Sequence, residues 1–137
     1  MSRPLLLTLP ILVLLNGCAT TPPDVTGAGT QLATRQIQTR EYDTLDKSMT
    51  MRSVVATLQD LGFTIDQADA ELGTVTATRL HDYTMRMTVT VVEKGNERIS
   101  VRANARIGEN SVTDPNTYQD FFVVLDKAMF LTLHEVD

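Results

Sequence analysis

The sequence predicts an α+β fold: a two-layer sandwich in which a mostly antiparallel sheet carries two helices on one face, in the order β-α-β-β-β-β-α. Three observations predict it. Tyr83 to Val91 and Ile99 to Ile107 alternate apolar and polar residues at the period of strands buried on one side. Met51 to Leu61 and Tyr118 to Leu133 repeat apolar residues at the helical period instead. Strands that cluster between two helices, rather than alternating with them, pack as an antiparallel sheet under helices.

In chain order, residues 1–17 read as an export signal. Met1 to Pro4 holds one cation, Leu5 to Leu15 is apolar apart from Thr8 and Pro10, and small residues follow. A helix needs about 20 residues to cross a bilayer, so this run is too short to stay as a membrane span and is expected to be cut off. Residues 18–34 contain Thr-Thr-Pro-Pro, Gly27 and Gly29 with no apolar period, and are expected to be a flexible tether. Residues 35–137 then form one small domain, long enough to be stable without a disulfide or a metal. Without residues 1–17 the formal charge is −6, an acidity that argues against nucleic acid as a partner.

Arg35 to Tyr42 is expected to be the first strand. Asp43 to Asp46 supplies helix-start chemistry, Met51, Val54, Val55, Leu58 and Leu61 make one helical face, and Gly62 stops it. Phe63 to Asp66 gives a second strand, and Leu72-Gly73 turns into a third, Thr74 to Arg79. In the fourth and fifth strands Tyr83, Met85, Met87, Val89 and Val91 face inward with Ile99, Val101, Ala103, Ala105 and Ile107. A three-residue loop, Lys94 to Asn96, pairs Val91 with Ile99 and Val89 with Val101; a two-residue loop would set apolar against polar residues. Asp114-Pro115 opens the last helix, whose core face is Tyr118, Phe121, Phe122, Leu125, Met129 and Leu133.

Leu15-Asn16-Gly17-Cys18 resembles the lipobox of bacterial lipoproteins. The resemblance implies alkylation of the Cys18 thiol with diacylglycerol, cleavage before Cys18 and acylation of the new amine. Cys18 is the sole cysteine, so it has no internal disulfide partner. Ala19 in place of aspartate after it implies, by the enterobacterial sorting rule that the site resembles, the outer membrane. Leu58-Gln59-Asp60-Leu61-Gly62-Phe63-Thr64-Ile65-Asp66, with Thr39-Arg40-Glu41-Tyr42-Asp43-Thr44 before it, resembles a group of small proteobacterial lipoproteins. The element order is similar to the helix-grip domains of lipoprotein C of the outer-membrane β-barrel assembly machine, which implies an accessory role in envelope protein complexes and transfers no catalytic residue.

The predicted register leaves Arg86, Arg98, Arg102 and Arg106, with no acid, on the sheet face away from the helices, beside threonines and Asn104. Such a face is either simply solvated or a docking surface for an anion or a protein, because guanidinium forks match carboxylate and phosphate. On the last helix Val123, Val124, Phe130 and Leu131 fall outside the core stripe, to be covered by neighbouring elements or by another chain, a second copy included. Asp60, Asp66, Asp69 and Glu71 lack calcium-loop spacing, and His81 and His134 lack zinc-ligand spacing. No nucleophile elbow or phosphate-cradling loop occurs, and no cofactor is expected. The expected function is a lipid-anchored, noncatalytic binding or assembly module of the bacterial envelope, facing the periplasm. The alternative is a carrier or sensor of an anionic small molecule or glycan, which a pocket among Met85, Met87, Phe121 and Phe122 would favour.

Overall fold

A computed structural model describes residues 25–134. The export segment, Cys18 and the first part of the expected tether lie outside the described residues. The elements are α1 (Val25–Ile37), β1 (Thr39–Tyr42), α2 (Lys47–Asp60), β2 (Thr64–Asp69), β3 (Thr74–Leu80), β4 (Thr84–Lys94), β5 (Arg98–Ile107), β6 (Asn110–Ser111) and α3 (Pro115–His134). The fold is the expected α+β sandwich. All strand pairs are antiparallel, in the order β1-β5-β4-β3-β2, and β6 extends the pairing along β5.

Helix α1 replaces the expected flexible tether over residues 25–34, the part of it that lies among the described residues, and the first strand starts at Thr39 and not at Arg35. Gln31, Leu32, Ala33, Arg35 and Gln36 are all good helix formers. The glycines and threonines before them obscured that propensity. The sequence turns sharply at Gln38: its carbonyl accepts from the Ala103 N–H at 2.8 Å, so pairing to β5 begins as the helix ends.

Helix α2 is capped as its sequence suggests. Asp46 Oδ1 accepts from the Met49 N–H at 2.8 Å, and Gly62 takes φ +83° so that the Phe63 N–H can reach back to the Leu58 carbonyl. β2 runs three residues further than expected because a bulge between Ile65 and Gln67 resets its register on β3.

The β4–β5 loop has three residues, but they are Gly95, Asn96 and Glu97, not Lys94 to Asn96. Val91 therefore opposes Val101 and Val89 opposes Ala103, two residues from the expected pairs. A shift of two preserves the face on which every side chain lies. Gly95 has φ +66°, a conformation glycine adopts without steric cost, and its placement at the loop's first position decides between the two turns.

The inner sheet face buries Val75, Met87, Val89, Val91, Ile99 and Val101, all at 1% exposure or less. Val54 and Leu58 of α2 and Phe121, Phe122 and Leu125 of α3 close the core from above. Phe121 and Phe122 meet edge to face, ring centres 5.1 Å apart. Burying each such side chain contributes about 1.5–3 kcal/mol. The outer face is left to solvent.

Candidate functional site

Alternation in β4 and β5 sends Arg86, Thr88 and Thr90 outward beside Arg106, Asn104 and Arg102, their direct cross-strand partners. These six side chains line a depression of about 390 Å³. Arg86 and Arg106 also border a second, of about 340 Å³, with Thr84, Gly108 and Glu109. The Arg86–Arg106 pair thus stands between two halves of one groove.

Directly opposed residues on antiparallel strands hold their Cβ atoms about 5 Å apart, and like charges there are unfavourable. Arg106 is partly compensated: its Nη2 donates to the Glu109 carbonyl at 2.9 Å and lies 3.6 Å from the Glu109 carboxylate. The side chains of Arg86 and Arg102 make no hydrogen bond or ion pair among the described residues. At about 3.2–3.4 Å per residue, Arg102 sits roughly 13 Å along β5 from Arg106, with Thr88, Thr90 and Asn104 filling the interval.

Arg98, the fourth expected arginine, does not join this group. It is held at the far end of β5 by Glu41, at 3.4 Å, and by Asp43, at 3.1 Å. Glu41 opposes Ser100 from β1 and also pairs with Lys94, so the face is not free of acid as expected. Hydrogen bonding and charge from Lys94, reinforced by Arg98, hold the Glu41 carboxyl below its ordinary range. Asp66, beside the β2 bulge, accepts from the Thr78 hydroxyl at 2.6 Å on the same face. The acids arrive from edge strands remote in sequence, which the alternation of β4 and β5 could not show.

On α3, Val123 and Phe130 are 58% and 59% exposed and Leu131 is exposed beside them, whereas Val124 is half-buried. The Phe130 ring packs against His134 with centres 4.1 Å apart. His81 is exposed and lies 3.2 Å from Asp82, far from any other histidine in sequence. Asp69 is a turn residue: one carboxylate oxygen accepts from the Glu71 and Leu72 N–H groups. Among the described residues no group of His, Cys, Asp and Glu is arranged to hold a metal ion. No helix among them is long and apolar enough to cross a membrane.

A clamp that the sequence reading did not foresee joins β1 to α3. Asp126 accepts from the Tyr42 hydroxyl at 2.7 Å and pairs with Arg40, whose guanidinium lies over the Phe122 ring at 5.0 Å. Burial, and then the hydrogen bond and charge of Asp126, push the Tyr42 hydroxyl well above its ordinary value. The available signal was the Arg40-x-Tyr42 spacing, which puts both side chains on the helix-facing side of β1.

Met85, Met87, Phe121 and Phe122 are all buried, at 2% exposure or less. A depression of about 220 Å³ is lined by Met85 and Met87 together with Phe63, Arg79, Tyr83 and Asp120, and by neither Phe121 nor Phe122.

Residues 14–118 match the family model described as Protein of unknown function (DUF1499). No curated protein matches the chain.

Proposed function

Since the chain belongs to the family described as Protein of unknown function (DUF1499), whose description assigns no activity, its role has to come from its own residues, and we propose a lipid-anchored, noncatalytic binding or assembly module of the bacterial envelope. Cys18 is the attachment atom. The module sits at the outer membrane, faces the periplasm, and engages an anionic group of an envelope protein partner through the outer face of β4 and β5.

One observation carries this reading: Arg86 stands directly opposite Arg106 while Arg86 and Arg102 go unpaired. A solvated face needs no such opposition, because threonine at any of these positions would suit a sheet better. An incoming anion converts the unfavourable pair into a favourable one. The packed core around Phe121 and Phe122 supports a surface-binding module over a carrier with an internal cavity. The alternative, a carrier or sensor of an anionic small molecule or glycan, is favoured by the volume of the outer depression, which lies in the range of small-ligand sites.

In-cell photo-cross-linking from position 88 tests the reading. The unaltered face should give discrete adducts that vanish when Arg86, Arg102 and Arg106 are all replaced by alanine with folding unchanged. Identical adducts from both proteins would overturn it. Mass analysis of the mature N-terminus tests the anchor: a triacylated Cys18 is expected, and an unmodified thiol refutes it.

A further inference from the structure

We propose that the groove on β4 and β5 is a two-point site for a phosphate ester with a hydroxylated body, its phosphoryl group held between Arg86 and Arg106 and a second anionic group held at Arg102. The inference rests on the alternative reading, that this face takes an anionic small molecule or glycan, and adds which anion.

The choice of phosphate over carboxylate follows from the arginine pair. A carboxylate carries one charge and two oxygens, and one guanidinium fork satisfies both. Arg86 and Arg106, directly opposed on neighbouring strands, line the same two depressions, so two forks border one place. A phosphoryl monoester has three free oxygens and a charge of about −1.5 to −2 at neutral pH, enough to engage both forks at once. Glu109 does not take this role: its carboxylate reaches Arg106 only at 3.6 Å and is fully exposed, and Arg86 gains nothing from it.

The interval to Arg102 defines the rest of the ligand. Thr88, Thr90 and Asn104 line it with hydroxyl and amide groups that both donate and accept hydrogen bonds. No aromatic ring is among the lining residues, so nothing there would stack on a nucleobase. A polyol or saccharide body meets hydroxyl and amide partners across this stretch. The roughly 13 Å along β5 between Arg106 and Arg102 then calls for a second anion at the far end.

Isothermal titration on the full mature chain in neutral detergent tests the site with defined probes. Fructose 1,6-bisphosphate should bind about tenfold or more tightly than fructose 6-phosphate, and fructose should not bind. Arg102→Ala should remove the advantage of the bisphosphate while sparing the monophosphate. Arg86→Lys, which keeps the charge and removes the fork, should weaken both phosphates by about tenfold. Both positions are exposed, and an unchanged melting temperature or a raised one certifies the fold.

Citrate binding as tightly as the bisphosphate would overturn the phosphate assignment. Dihexanoyl phosphatidic acid, used as a soluble lipid probe, should bind no better than fructose 6-phosphate; affinity equal to that of the bisphosphate would place the phosphoryl source in a lipid headgroup and overturn the two-point site. Absence of phosphate binding alongside arginine-dependent cross-links would remove this proposal and leave the broader reading standing. Loss of both would remove both.

Discussion

Gln38 and Tyr118, 80 residues apart in the chain, are joined by a 3.0 Å hydrogen bond from the Gln38 Nε2 to the Tyr118 hydroxyl. The same hydroxyl donates to the Val112 carbonyl at 2.6 Å and accepts from the Ala105 N–H at 3.2 Å. One oxygen therefore ties the α1–β1 junction, the end of β5 and the first turn of α3. Tyr118→Phe should leave the Ala105 N–H without its partner inside the core and lower stability by about 1–3 kcal/mol. Urea unfolding measures this, and a loss below about 0.5 kcal/mol would mean the network does not matter.

Gly73 closes the β2–β3 turn with φ +72°, and a Cβ there would stand 2.3 Å from the Val91 carbonyl oxygen. The Val91 N–H donates to the Gly73 carbonyl at 2.7 Å, so the two backbones cannot part without losing that bond. Gly73→Ala should destabilise by more than about 2 kcal/mol, the left-handed strain and the clash acting together. A thermal melt close to that of the unaltered chain would contradict the close approach.

Arg86→Thr should have the opposite sign in the absence of ligand. Removing one of two directly opposed cations relieves repulsion of about 0.2–1 kcal/mol, the low end applying because both side chains are exposed. Calorimetry should show the melting temperature rising by about 1–4 °C, and the gain should shrink in 1 M salt. A fall in melting temperature at low salt would show that the pair is not repulsive in the free protein.

Tyr42 gives the fold an alkaline limit. Its hydroxyl has a higher pKa folded than the ordinary value of 10.0, so the folded state holds the proton more tightly than the unfolded state. That contribution is fully present below pH 10 and is lost as pH rises toward the folded value. Urea unfolding between pH 8 and 11 should show stability falling above about pH 10. Tyr42→Phe should flatten this decline while lowering stability at neutral pH, since Asp126 loses a donor.

The elements with strong periods were legible. Met85 to Val91 and Ile99 to Ile107 have a period of two that leaves no doubt about which residues face the helices, and the arginine face followed from it. The register was legible only to within two residues: the pattern specifies parity, and the choice between Lys94 and Gly95 as the first loop residue rests on backbone conformation. Helix α1 was hidden because Gly27 and Gly29 outweighed the helix formers after them. The division of the arginines was hidden for a different reason. Arg98 is neutralised by Glu41, 57 residues away, and no local pattern foretells which strand will lie beside β5.

The bonds at Gln38 also have a mechanical consequence. Any pull on the domain from its N-terminal side enters through α1 and bears on the Gln38 carbonyl bonded to Ala103 and the Gln38 amide bonded to Tyr118. β1 is only four residues long and would unzip from β5 one pair at a time if that junction yielded. Tension at that junction would pass through Gln38 directly into β5 at Ala103, between the groove residues Arg102 and Asn104, and into α3 at Tyr118, so a load on the N-terminal side would be felt at the groove itself.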